Sequence, residues 1–287
     1  MSLRNVSVFM IGAFLLSCSP QRLVIRQLEP VLDNSVKALY EEGDLQLAEQ
    51  AMAADLKLVE GLLKSDPQNE KLLTIAAQGY AGYAMGFVED KQPQRAKKLY
   101  LRARDYGLRL LFDDDSIEAH LNKPINQFES LIAQKKEDEL PGLFWSGFAW
   151  GGYLNLSLNE PTALIDFPKV QAIMKRVATL QPDYFYGGVY LFLGAVYGMK
   201  PRMLGGNPEK ALQYFQKNLQ MTGEQFLLTY IYMARYYAAK VLDEEKFDNY
   251  IQQIESASED ILPEARLLNA IAKKKARLLK EKKSDIF

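Results

Sequence analysis

Apolar side chains recur every three or four residues over most of this chain, and this spacing constrains the fold more than any other feature. It is the spacing of one face of an α-helix, whereas the alternation typical of strands is scarce. Three stretches share one order, in which a large apolar residue is followed by a small residue and then by tyrosine. They run from Leu73 to Tyr80, from Tyr190 to Tyr197 and from Tyr230 to Tyr237, and each is followed by a second helical pattern, beginning at Ala96, Ala211 and Lys246.

This order resembles the tetratricopeptide repeat, in which small residues let two antiparallel helices approach and large residues fill the gaps. The predicted fold class is therefore all-α, an irregular tetratricopeptide-like superhelix of antiparallel helix pairs with roughly ten to twelve helices. Pro67 and Pro182 are expected to end two of the preceding helices, and residues 263–283 are predicted to form one long C-terminal helix. The segments 88–94 and 199–207 are longer than tight turns, which suits either binding loops or spacers.

The N-terminus has the layout of a secretory signal peptide. Arg4 precedes an apolar stretch, Val6–Leu16, which is too short to span a bilayer permanently. The next residues, Ser17 and Cys18, complete a pattern that resembles the bacterial lipobox. That resemblance implies cleavage before Cys18, the only cysteine in the chain, and its lipidation. A buried cysteine behind an ordinary signal peptide is the alternative.

Three segments follow from this interpretation. Residues 1–17 are predicted to be the signal peptide, residues 18–40 the lipidated N-terminus with a first helix, and residues 41–287 the helical domain. Ser19 follows the cysteine, which by resemblance to enteric lipoproteins favours the outer membrane over the inner one. The expected location is thus the periplasm, with the membrane as a partner through the N-terminal lipid.

Composition argues against several classes of function. With 35 basic and 36 acidic residues the net charge is −1, so no overall field favours nucleic acid. His120 is the only histidine, and with one cysteine the chain has few residues for a metal site or for the commonest general base. Ser146 does not lie in a G-x-S-x-G elbow. We therefore expect no enzyme, no catalytic residue, no metal and no cofactor.

The middle of the chain carries short motifs in a defined order. They are Trp150-Gly151, Asn155-Leu156-Ser157, Asp166-x-Pro168-Lys169-Val170, Pro182-Asp183-Tyr184, Gly187-Gly188, Leu191-Phe192-Leu193-Gly194 and Leu204-Gly205-Gly206-Asn207-Pro208. Together they resemble the T component associated with TRAP transporters, a family of periplasmic lipoproteins with tetratricopeptide-like folds. The resemblance is strongest over residues 144–219 and extends more weakly over residues 48–276.

The resemblance implies a partner role. Such proteins are associated with the periplasmic solute-binding protein of a TRAP transporter, which moves small organic solutes, often acids. It also implies a homo-oligomer, expected to be a trimer, and no catalytic motif. A membrane-anchored scaffold for envelope assembly, which would bind peptides or proteins, is the alternative function.

The aromatic residues, 16 Tyr, 14 Phe and 2 Trp, supply the candidate ligand site. Tyrosine combines an apolar face with a polar tip and often lines grooves. The expected lining of a concave groove or tunnel for a small apolar, amphipathic or organic-acid ligand consists of Trp150, Tyr153, Tyr190, Tyr197 and Tyr237, with Asn155 as a polar contact. Each ring also suits a plain core position. The glycines Gly147, Gly151 and Gly152 suit either close helix packing or room for a ligand.

Lys200 and Arg202 are the candidate partner-binding residues, facing an acidic partner or a ligand carboxylate. The same segment has a purely structural interpretation. In that interpretation Gly205-Gly206 forms a turn, Asn207 caps the next helix and Pro208 occupies its first position.

Overall fold

Fourteen α-helices of five residues or more follow one another in the part of the chain that the computed structural model describes, residues 20–200 and 202–287. The first seven are α1 Pro20–Gln27, α2 Glu29–Tyr40, α3 Leu45–Ser65, α4 Glu70–Tyr83, α5 Pro93–Arg109, α6 Ile117–Leu121 and α7 Ile125–Ala133. The other seven are α8 Leu140–Asn155, α9 Phe167–Leu180, α10 Tyr184–Met199, α11 Pro208–Thr222, α12 Leu228–Met233, α13 Glu244–Ser256 and α14 Arg266–Glu281.

These helices confirm the all-α class, and no strand occurs among the described residues. The helix number exceeds the expected ten to twelve because short helices such as α6 occupy connections that lack a full apolar stripe. No described helix is both long enough and apolar enough to cross a membrane. The predicted signal peptide and Cys18 lie outside the described residues.

Local sequence signals set several helix starts. Asp44 and Asn69 cap α3 and α4, because their side-chain oxygens accept hydrogen bonds from the free backbone N–H groups of the first turn. Asn207 accepts from the backbone N–H of Lys210, and Pro208 is the first residue of α11. The predicted cap and proline are therefore confirmed.

Neighbouring helices pack in succession, α3 on α4, α4 on α5, α8 on α9 and α10 on α11, as paired repeats should. α5 and α8 approach closely, since a Cβ on Gly107 would lie 2.7 Å from the backbone nitrogen of Ser146. The C-terminal helix α14 packs on α12 and α13 and returns to α2 and α3 near the start of the domain. The guanidinium of Arg266 donates to the carbonyl of Glu41 at 3.0 Å, which helps to close this arrangement.

Three helices depart from regular α geometry. α4 continues into a π-helical turn, Ala84–Val88, and α12 continues into a second one, Ala234–Ala238. α10 starts with a left-handed turn over residues 185–187, where a continuous right-handed helix would be expected from the apolar pattern. π-turns are rare in proteins overall, and those that occur are often found at functional sites. The two π-turns and the left-handed turn all border the same cavity.

Candidate functional site

A partly enclosed cavity of about 100 Å³ lies where the π-turns that follow α4 and α12 meet α5, α8, α9, α10, α12 and α14. Its wall is mainly aromatic and aliphatic, with a few polar groups at one end. The apolar lining includes Met85, Phe144, Phe148, Phe167, Phe185, Leu191, Phe192, Phe226, Ile231 and Leu268, and the polar lining consists of Glu89, Tyr100, Asn155, Tyr232, Arg235, Tyr236 and Lys275. An engineered apolar cavity of about 150 Å³ binds benzene, so this smaller space has room for at most a group of about that size unless the wall moves.

Two glycines of α8 border the cavity and also make room for aromatic rings. A Cβ on Gly151 would lie 2.7 Å from the ring of Phe192, and one on Gly152 would lie 2.6 Å from the ring of Tyr100. Real Cβ atoms do not approach so closely, so both rings reach their places only because the glycines lack a side chain. Gly147 serves packing alone, since its Cβ would meet Met174 at 2.5 Å. Gly151 and Gly152 therefore make room for rings beside the cavity, whereas Gly147, one turn earlier, allows close helix packing.

The left-handed turn places Phe185 in the cavity wall. Phe185, Tyr186 and Gly187 have φ values of +46°, +56° and +64°. For residues with a Cβ this conformation costs roughly 1–2 kcal/mol each. The buried amide of Asn218 offsets part of this cost, because its Nδ2 donates to the carbonyls of Tyr186 at 2.7 Å and Gly187 at 2.9 Å. Thr229 in turn donates its hydroxyl to the amide oxygen of Asn218.

The polar end of the cavity is built on an ion-pair network. Lys275, which is 5% exposed, donates to Glu89 at 2.7 Å and to Asp90 at 2.8 Å. The hydroxyl of Tyr100 donates to the second carboxylate oxygen of Glu89, and burial raises the pKa of Tyr100 well above its usual value. Both oxygens of Glu89 are thus engaged, and Tyr100 stays protonated as the donor. The network fixes one wall of the cavity.

Two further polar groups complete this end. The hydroxyl of Tyr236 donates to Asn155 Oδ1 at 3.0 Å. Arg235 lies one residue earlier, on the π-helical turn, and its exposed side chain borders the cavity. Among the described residues, no carboxylate lies within ion-pair distance of Arg235 and no acceptor forms a hydrogen bond with it. The neighbouring Tyr236 raises the pKa of Arg235, so its guanidinium stays charged.

One of the predicted ligand residues, Asn155, lines the cavity, and the others lie elsewhere. Trp150 is 1% exposed and packs with its ring 5.1 Å from the guanidinium of Arg104. Tyr190 and Tyr197 stack on Tyr214 of α11, with ring centres 6.2 and 5.8 Å away. Tyr153 and Tyr237 are partly buried against the core and are absent from the cavity wall.

Several lining residues were not singled out by the sequence. Phe192 lies in the same helix as Tyr190 but on the face that meets Gly151. The sequence does carry a signal for Arg235, because it is the only charged residue in the apolar run from Phe226 to Ala239.

The candidate partner residues lie at the end of α10. The ammonium of Lys200 lies 4.3 Å from the ring centre of Phe167, a cavity residue, and burial lowers the pKa of Lys200. Arg202 pairs with Glu209 at 2.7 Å, and both side chains are exposed. His120 packs on Phe112, 4.5 Å between ring centres, and is not part of the cavity wall.

Comparison with known proteins agrees with this architecture. The family model for the TRAP transporter T-component matches residues 41–287. The chain belongs to this family. The T component shares 26% identity over 279 residues with an uncharacterized protein of Treponema pallidum (strain Nichols), which covers 88% of this chain and 83% of that protein. The family match gives this chain an accessory role in a TRAP transporter, and the family is one of transport accessory proteins and not a known enzyme family. Helices α1 and α2 precede the matched range.

Proposed function

We propose that this T component holds a small organic ligand in its central cavity and docks the periplasmic solute-binding protein of its TRAP system. The single observation that carries the ligand role is the cavity itself. Its wall combines phenylalanine rings with polar groups, an arrangement typical of small-molecule sites. The backbone beside the cavity has unusual geometry, namely the left-handed turn at Phe185 and two π-turns. Such conformations cost conformational energy and cluster at functional sites.

The docking role is supported by the surface beside Phe167 and Lys200. Two exposed apolar side chains lie close to them in sequence, Ile165, 71% exposed, and Met203, 97% exposed. Lys200 and Arg202 add positive charge, and the exposed pair of Arg202 with Glu209 is of the weak kind that a partner readily replaces. A surface that combines exposed apolar groups with positive charge suits a partial, reversible protein contact.

A binding assay with the purified solute-binding protein tests docking. We expect the double variant Lys200→Glu/Arg202→Glu to weaken binding at least about tenfold, because two charges are reversed at the contact. A matched variant with the same charge change at exposed positions far from this end, Lys64→Glu/Arg277→Glu, should bind within about twofold of the parent. Equal binding by all three proteins would rule out this surface.

Native mass spectrometry of the T component purified without organic buffer additives tests the ligand role. We expect a small organic molecule to remain bound to the protein and to be released on unfolding. A preparation that carries no such molecule and takes up no small organic probe would contradict the proposal. Co-purification of a peptide instead would favour the scaffold alternative.

The anchor and the assembly state complete the proposal. We propose that Cys18 carries lipid and holds the domain at the periplasmic face of the outer membrane, and that the domain forms a trimer. Metabolic labelling with a fatty acid should label the parent and not Cys18→Ser, which should then appear in the soluble periplasmic fraction. Light scattering on the delipidated protein measures the mass, and a monomer would contradict the trimer.

A further inference from the structure

The first helix carries apolar side chains on two sides. Ile25 of α1 is buried in the apolar cluster that joins the end of α3 to the start of α4. Leu23 and Val24 beside it are 59% and 56% exposed, and Val31, early in α2, is 58% exposed. Single exposed apolar residues are normal at a protein surface, but here four large ones occur in nine consecutive positions. We call this set the α1 face, and it consists of Leu23, Val24, Leu28 and Val31.

The place of the α1 face in the chain indicates what covers it. Pro20, the first residue of α1, follows Cys18 by only two positions. Two residues span at most about 7 Å, so a lipid on Cys18 would hold α1 directly at the bilayer surface. An interfacial helix buries its apolar face about 5–10 Å into the boundary between headgroups and acyl chains, which is within this reach.

Two arginines of α1 add charge beside the face. The Nε atoms of Arg22 and Arg26 lie 3.7 and 3.8 Å from the two carboxylate oxygens of Asp66, which is buried. One carboxylate thus faces two guanidinium groups, and both arginine side chains are more than half exposed. A guanidinium has five N–H donors and pairs well with phosphate, the anionic group of phospholipids.

We infer that the α1 face lies in the headgroup layer of the membrane, with Arg22 and Arg26 beside lipid phosphates. This inference rests on the proposed lipid anchor and adds a contact made by the protein itself. A lipid alone would leave the domain able to rotate about its attachment point. Because Ile25 ties α1 to α3 and α4, a seated α1 sets the orientation of the whole domain on the bilayer. The contact by itself is reversible, so Cys18→Ser is still released when membranes are diluted and separated.

A fluorescent probe on the lipidated protein tests this contact. Acylation blocks the thiol of Cys18, so Val24→Cys supplies the one reactive thiol for an environment-sensitive dye. The protein is bound to phosphatidylcholine vesicles that contain about one quarter phosphatidylglycerol. We expect blue-shifted emission and iodide quenching at least about fivefold weaker than in the unlipidated Cys18→Ser/Val24→Cys protein without vesicles. A dye at Gln216→Cys, an exposed position on α11, should be quenched equally in both states.

Vesicle binding by the unlipidated Cys18→Ser protein gives a second measurement. Leu23→Ser/Val24→Ser should weaken co-sedimentation with the same vesicles at least about tenfold, because two exposed apolar side chains are lost from the face. The matched pair Leu47→Ser/Leu242→Ser, also exposed, should bind within about twofold of the parent. Vesicles without phosphatidylglycerol should bind about threefold more weakly. Equal binding to them would overturn the role of the arginines.

Three failures are distinguishable. A dye at position 24 that stays open to iodide on vesicles, in a protein labelled by fatty acid, would overturn the α1 contact and leave the anchor. An absence of fatty-acid label would overturn the anchor and this inference together. A dye already protected before vesicles are added, with a mass in light scattering that falls in Leu23→Ser/Val24→Ser, would show that a second copy of the chain covers the face and would overturn the membrane contact.

Discussion

The two faces of α10 carry similar rings in different surroundings. Phe185 and Phe192 line the cavity, whereas Tyr190 and Tyr197 lie against Tyr214 of α11. The ammonium of Lys210 lies 4.3 Å from the ring centre of Tyr197, and Lys217 lies 6.0 Å from that of Tyr190. The two faces thus differ in the hydroxyl group of the ring. A phenyl ring borders a small cavity without leaving a polar atom unpaired, while the hydroxyl of a buried tyrosine needs water or an acceptor.

Tyrosines do enter the cavity wall where an acceptor waits. Tyr100 donates to Glu89 and Tyr236 donates to Asn155. Tyr232 also lines the wall, without a hydrogen bond among the described residues, so partner availability accounts for two of the three tyrosines there. Each part of this comparison can be tested by substitution. The substitutions remove rings from the cavity wall, the support of the left-handed turn, the hydroxyl of Tyr100, or the space that Gly151 leaves for Phe192.

The largest effect on ligand binding is expected from removing aromatic rings that line the cavity, compared with removing rings on the other face of α10. Phe148→Ser/Phe192→Ser removes two rings from the wall and should weaken binding of the co-purified molecule by about 100-fold or more, since each ring buries a large apolar area. Tyr190→Ser/Tyr197→Ser should leave binding within about threefold, because those rings lie outside the wall. Calorimetry measures both, with melting temperatures as the folding control. A loss of binding in the tyrosine pair alone would restore the tyrosine lining predicted from the sequence.

The next largest effect concerns the turn that places Phe185. Asn218→Ala removes both hydrogen bonds to the left-handed turn and leaves buried carbonyls without a donor. We expect the free energy of unfolding to fall by about 3 kcal/mol, with weaker ligand binding as Phe185 shifts. Gln216 is exposed on the same helix, so Gln216→Ala should change it by less than about 0.5 kcal/mol. Denaturant titration compares the two, and equal values would show that Asn218 does not hold the turn.

A smaller effect isolates the hydroxyl. Tyr100→Phe deletes the donor to the charged Glu89 and should lower the free energy of unfolding by about 2 kcal/mol, since hydrogen bonds to charged groups contribute about 1.5–3 kcal/mol. Tyr197→Phe deletes a hydroxyl at the surface and should be neutral within about 0.5 kcal/mol. The same titration measures this pair. If Tyr197→Phe proved as costly as Tyr100→Phe, the explanation by partner availability would be wrong.

Helices and their caps could be predicted because their signals are local. The spacing of apolar residues marks α10, and Asn207 with Pro208 marks the start of α11. The left-handed turn could not be predicted, because the amide that supports it belongs to Asn218, 31 and 32 residues beyond the two carbonyls it binds. The apolar run through residues 184–199 looks the same whether its first turn is right-handed or left-handed.

The candidate site was predictable in its place and less so in its residues. The sequence directed attention to the aromatic helices α8 and α10, both of which border the cavity, and to Asn155. It did not separate Trp150 from Phe148, which lie two residues apart on a helix that is apolar nearly all round. Without one polar face, periodicity does not say which side meets a cavity and which meets the core.

The smallest effect tests the room that α8 leaves for Phe192. In Gly151→Ala the new Cβ would lie 2.7 Å from that ring, so the ring must move into the cavity. The gain from replacing a helical glycine, about 0.5–1 kcal/mol, should be cancelled by crowding, giving a net loss of about 1 kcal/mol and weaker ligand binding. A Cβ on Gly61 of α3 would have no neighbouring atom within 4 Å, so Gly61→Ala should only raise the free energy of unfolding. The free energy of unfolding from denaturant titration should therefore fall for Gly151→Ala and rise for Gly61→Ala. A stabilised Gly151→Ala would mean that the ring of Phe192 has free space to move and that the cavity wall is not tightly packed there.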